Sequence, residues 1–204
     1  GAPVTVDMSA ERDRDGAVRL DVRQGTWRNA HVAGALTLRA GASLPEGRLE
    51  GRGVEDDFAP LLGRPLAGAL SFSIAGGPAQ VSIQAEARGA RIPAFGAAAR
   101  IWLNGTITDP ATTPVLAGEL GVDALSMPRL TGSARLEMRG PLAAMRATLA
   151  TRLLSIDGMP ATLGATAVLD AEARRVALAT LTAGWRGETV RLLTPTRIDW
   201  AAGV

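Results

Sequence analysis

The chain has 204 residues, 47% hydrophobic but only 3% aromatic, so its apolar content is Ala, Leu, Val and Ile with few of the large rings that usually anchor a globular core. The formal charge is +2, from 22 basic and 20 acidic residues, and every basic residue is Arg. Without Lys, Tyr or Cys, little titrates between the carboxylates and the guanidinium groups, and a small Arg excess drives the isoelectric point to about 10.7. Arg alternates with Asp and Glu along the chain, which excludes the basic stripe that nucleic acid binding needs, and the absence of Cys excludes disulfides and thiolate metal sites.

The chain opens Gly1-Ala2-Pro3 with neither an initiator Met nor a signal peptide. It is read as an excerpt of a longer protein, one continuous β-rich segment over residues 1–204 with no dividing linker. Nowhere do about 18 apolar residues run without a charge or a turn residue, so no helix of membrane-spanning type is expected.

From Val18 onward the dominant pattern is strict period-two alternation, the mark of half-buried strands. In Val18-Arg19-Leu20-Asp21-Val22-Arg23 the aliphatics share one face and the charges the other. The beat returns in Leu36-Thr37-Leu38-Arg39, in Leu70-Ser71-Phe72-Ser73-Ile74, and in the long run from Val81 and Ile83 to Arg88. Ile101, Leu103 and Ile107 continue it, although Asn104-Gly105 between them reads as a turn or a bulge. Leu120 and Val122 follow, then Leu136 and Met138 within Ala134–Arg139, then Leu149, Leu163, Val176, Leu178, Val190 and Leu192. Helical spacing of three and four residues is absent from these runs. Near Leu153-Leu154 and Ile156 the alternation changes phase, which predicts a bulge or a turn.

Turn signals separate the runs: Asp15-Gly16, Gly76-Gly77-Pro78, Asp109-Pro110, Gly140-Pro141 and Asp157-Gly158. One segment departs from the β pattern. Asp56-Asp57-Phe58-Ala59-Pro60-Leu61-Leu62-Gly63 has acidic N-cap candidates, an early Pro and a Gly stop, which predicts a short helix near residues 56–63. Gly25-Thr26-Trp27-Arg28 and Gly184-Trp185-Arg186-Gly187 are similar, but two short matches do not define a repeat. The residues therefore predict an all-β, mostly antiparallel sheet with one apolar face and one short helix.

Catalysis finds no inventory here. His31 is the single histidine, without a Ser or Cys motif to serve, and reads as a surface residue at the start of a strand. Without Lys there is no phosphate loop of the Walker type and no Schiff base. Helix capping explains Asp56 and Asp57 more simply than a cation site does. Asn104-Gly105-Thr106 matches an N-glycosylation acceptor, yet a turn accounts for it. Trp27, Trp102, Trp185 and Trp200 are scattered, so packing is a better reading than a base-stacking platform. The chain is expected to be no enzyme and to hold no metal or cofactor. On composition alone, the apolar face belongs to an ordinary closed sandwich or barrel.

A family resemblance changes that balance. Leu44-Pro45-Glu46-Gly47-Arg48-Leu49 leads into Phe58-Ala59-Pro60-Leu61-Leu62-Gly63-Arg64-Pro65-Leu66-Ala67-Gly68. Leu103-Asn104-Gly105-Thr106-Ile107-Thr108-Asp109-Pro110 and Trp185-Arg186-Gly187-Glu188-Thr189-Val190-Arg191-Leu192-Leu193-Thr194-Pro195 follow in order. Together these phrases resemble the TamB family, the inner-membrane subunit of the bacterial translocation and assembly module, within the AsmA-like group of bridge-like lipid transfer proteins. The resemblance implies an elongated U-shaped sheet, a β-taco, with aliphatics on its concave side and a periplasmic location on a protein anchored in the inner membrane. It also implies phospholipid acyl chains as cargo, a role in outer-membrane biogenesis, and an outer-membrane barrel partner, TamA, reached through parts of the protein outside this segment. The alternating residues Val18, Leu20, Val22, Leu36, Leu38, Leu70, Phe72, Ile74, Val81, Ile83, Ile101, Leu103, Ile107, Leu120, Val122, Leu136, Met138, Leu149, Leu163, Val176, Leu178, Val190 and Leu192 are then the groove lining. Two other functions compete: a scaffold that offers sheet edges to outer-membrane proteins by strand addition, and a plain structural β domain whose apolar face is closed.

Overall fold

A computed structural model describes residues 3–54, 67–92, 96–156, 158–170 and 173–199. The alternating segments become strands in the order β1 (Val4–Arg12), β2 (Val18–Trp27), β3 (Ala30–Leu38), β4 (Glu46–Val54), β5 (Ala67–Gly76), β6 (Gln80–Ile92) and β7 (Gly96–Thr108). There follow β8 (Val115–Met127), β9 (Leu130–Pro141), β10 (Met145–Ile156), β11 (Met159–Asp170), β12 (Arg175–Trp185), β13 (Glu188–Arg191) and β14 (Thr196–Asp199). All pair in one open antiparallel sheet, in which each strand from β1 to β13 lies beside its sequence neighbour and β14 also pairs β12. At about 4.8 Å per strand, such a meander runs about 60 Å across its ladders. The one helical piece described is a 3-10 turn at Leu142–Ala144 after Gly140-Pro141, which the sequence pattern did not single out. The helix expected near residues 56–63, with Asp56 and Asp57, lies outside the described residues.

Local signals decide where strands end. Gly16 (φ +85°) closes the β1–β2 turn, where the Ala17 amide bonds the Asp15 carboxylate at 3.3 Å. Arg186 and Gly187 both have positive φ, 53° and 83°, the backbone of the tightest β-hairpin, and they join β12 to β13. The expected phase change in β10 is a bulge: the register shifts between Leu153 and Ser155, leaving Leu154 68% exposed. Asn104-Gly105 is neither a turn nor a bulge. Asn104 pairs with Gln84 on one side and Glu119 on the other without a register shift, so two ladders override the local turn preference.

The sheet has no conventional core. Among the described residues no large side chain is fully buried, and of the large hydrophobic ones Trp102 and Met145 come closest. The chain exposes 13305 Å², against about 9,000 Å² expected of a compact monomer of 21.0 kDa. Among the described residues, the substantial backbone contacts join ladder neighbours and set the 3-10 turn against β11. Among the described residues no second sheet covers the first.

Candidate functional site

Directly opposed residues of a ladder point to the same side of a sheet, so the register assigns every side chain to a face. Followed across the strands, one row reads Val6, Gly25, Val32, Gly51, Phe72, Ala85, Leu103, Leu120, Leu136, Leu149, Ala165, Leu181. It crosses β1 to β12 without a polar residue. A second row contains Val22, Ile74, Ile83, Met138 and Leu178, and a third contains Leu20, Leu36, Val81 and Ile107. Leu70, Ile101, Val122, Leu163 and Val190 lie on the same side, as do Val18 with Leu38 and Val176 with Ile198. Leu192, whose amide bonds the Leu181 carbonyl, completes the set. Every aliphatic expected to line a groove therefore belongs to one face.

That face is sheltered only in part. Leu20, Leu36, Leu103, Leu120, Leu136 and Leu149 are half-buried, while Leu38, Ile74 and Val190 are exposed. The same face holds residues that the alternation alone did not select: Leu49, Leu116, Trp27, Trp185 and Leu181. Leu181 was hidden by a bulge between the Thr166 and Ala167 pairings, which inserts Ala179 and reverses the phase of β12. Trp27 and Trp185 each end a strand at a two-residue hairpin turn, each under the guanidinium of the next residue: Arg28 at 5.4 Å and Arg186 at 4.2 Å from the ring centres.

The opposite face is polar and cross-braced. Arg100 places Nη2 2.8 Å from Glu86 Oε2, and Arg88 bonds the other carboxylate oxygen, so one glutamate separates two directly opposed arginines. These side-chain hydrogen bonds, Arg88 first and Arg100 second, hold the Glu86 carboxyl below its ordinary value of 4.5. Arg175 and Arg197 act likewise on Asp199 at the last ladder. Trp102 lies on this face beside Arg100 (5.7 Å) and Arg135 (5.4 Å), and its Nε1 donates to Asp123 Oδ2 at 3.2 Å. Thr166 and Thr180, directly opposed, share a hydroxyl bond of 2.7 Å.

A depression of about 860 Å³ opens on this polar face over β2 to β7, and a smaller one adjoins it over β6 to β9. Its rim includes His31, exposed in β3 as the pattern implied. Among the described residues no group of side chains gathers to hold a metal ion, and no helix is long and apolar enough to cross a membrane.

No family model, curated protein or solved structure matches this chain.

Proposed function

We propose that this sheet is a segment of a lipid-conducting bridge, its apolar face a track for phospholipid acyl chains between the inner and outer bacterial membranes. The single observation behind the reading is the row from Val6 to Leu181, in which apolar side chains and glycines follow one another across twelve strands with, among the described residues, no second layer over them. Each CH₂ removed from water is worth about 0.8 kcal/mol, and a face of Leu, Val, Ile and Ala collects that gain without directional bonds. Such a surface holds a tail at many equivalent positions, which is what sliding requires. A periplasmic location, an inner-membrane anchor elsewhere in the protein and cooperation with TamA in outer-membrane assembly complete the proposal, carried by the TamB resemblance.

Native mass spectrometry of the purified protein is the test. Co-purifying phospholipid is expected, and it is lost in Ile83→Asp and Leu136→Asp but retained in Thr148→Asp and Glu137→Gln. Equal loss from both faces, or no lipid in the unaltered protein, defeats the reading.

A further inference from the structure

The polar-face depression is not used by a lipid track on the other side, and its lining has a chemistry of its own. Consecutive residues of a regular strand point to opposite faces. Arg23 and Gln24 nevertheless both line the depression, because a bulge in β2 sets the two of them opposite the single residue Ala33. His31 and Arg52 are direct partners across β3 and β4, and Arg52 is in turn opposed by Ser71 of β5. Three strands thus bring two guanidinium groups and an imidazole to one flank.

These basic groups are poorly compensated. Elsewhere on this face arginines are braced by carboxylates, as in Arg48–Glu50, Arg100–Glu86 and Arg135–Glu119. Among the described residues Arg52 and His31 have no such partner, and Arg23 reaches only Asp7, at 3.8 Å. The two acids in the lining are already engaged: Glu50 by Arg48, and Glu86 by Arg88 and Arg100. Ser71, Ser73, Gln24, Gln84 and Asn104 also line the space, and among the described residues their side chains make no internal hydrogen bond.

We infer that this depression binds a phosphate-bearing polar molecule, with Arg52, His31 and Arg23 on the phosphate and Gln84 and Asn104 on the group attached to it. A tetrahedral oxyanion accepts donors arriving from several strands at once, whereas a carboxylate is matched by one planar fork. The volume of about 860 Å³ exceeds what a bare phosphate fills, which leaves room for a sugar or glycerol moiety beside the edge of Trp102. The same chemistry is offered by a soluble phosphate ester and by a phospholipid headgroup.

Calorimetric titration of the full chain at low ionic strength with inorganic phosphate and glycerol 3-phosphate, alongside sedimentation with phosphatidylglycerol vesicles, tests the site and separates the sources. Binding of the soluble probes identifies a free phosphate ester as ligand, and binding of vesicles alone identifies a headgroup. In either case R52Q weakens binding at least about tenfold, the size of one lost charge-assisted hydrogen bond. H31Q also weakens it, while R146Q, an equal charge change on a distant strand of the same face, leaves it unchanged. All three side chains are exposed, and a thermal melt of each variant verifies the fold. Binding indifferent to R52Q and H31Q, equally sensitive to R146Q, or absent for every probe overturns the inference. Ile83→Asp, which tests the lipid track, leaves phosphate binding intact.

Discussion

Trp102 occupies the space that a side chain at Gly121 would need: the two are direct partners across β7 and β8, and a Cβ built on Gly121 falls inside contact with the indole ring. Phe72 covers Gly51 in the same way on the apolar face. An aromatic ring laid over a facing glycine fills the gap that the missing side chain leaves in a sheet. Gly121→Ala is expected to destabilise the protein by about 1–3 kcal/mol, because the ring cannot yield without giving up Asp123, Arg100 and Arg135. Gly105→Ala, where a Cβ meets its nearest atom at 3.7 Å, is the matched control and stays within about 0.5 kcal/mol. Urea unfolding of the two variants checks both.

Gly47 and Gly76 are direct partners in β4 and β5, with φ of 150° and 147°. L side chains rarely adopt that backbone, and a Cβ on either glycine would collide with a neighbouring carbonyl, of Ala35 or Gln80. Gly47→Ala should cost about 1–3 kcal/mol from the backbone alone and lower the urea midpoint. A midpoint equal to that of the unaltered protein would show that no such backbone is present.

The Glu86 tether has a pH signature. Its carboxyl is held below 4.5 in the folded sheet, chiefly by Arg88 and then Arg100. A depressed folded-state value means that the contribution is fully present above the ordinary glutamate value and is lost as pH falls through the depressed one. The difference in melting temperature between the unaltered protein and Glu86→Gln should be constant above pH 4.5 and shrink below it. A difference that does not change with acidification contradicts the tether.

Leu154 and Leu149 lie on the same strand but in different environments. Leu154 sits on the β10 bulge and is 68% exposed, while Leu149 lies half-buried in the continuous apolar row. Leu154→Asn should stay within about 0.5 kcal/mol of the unaltered protein, and Leu149→Asn should cost about 1 kcal/mol or more. Equal costs in chemical denaturation would mean that the bulge is misplaced.

Period two was enough to read most of the strands and to put Val18, Ile83, Leu136 and Val190 on one face, because each has its face set by neighbours one and two residues away, but it missed Leu181 beyond the β12 bulge. It also located the β10 bulge, where Leu153-Leu154 breaks the beat. It failed at Asn104-Gly105, where a strong local turn signal lies between two partner strands that hold it extended. Pairing between residues far apart in sequence was out of reach. Nothing near Arg23 announces that it shares a depression with Arg52 and Asn104, and nothing near Trp102 points to Gly121. The kinship of the two Trp-Arg motifs is likewise plain only once both are seen to end strands at tight hairpins.

The proposed lipid track runs on the face carrying Leu120, Leu136 and Leu149 and not on the one carrying Glu119, Glu137 and Thr148, which adjoin them in β8, β9 and β10. A photo-reactive amino acid placed at each of the six positions in the full chain in cells, followed by mass spectrometry for phospholipid adducts, tests it directly. Adducts from the first three positions and none from the second three are predicted. Adducts from both rows alike, or none from the leucine row, would contradict the account.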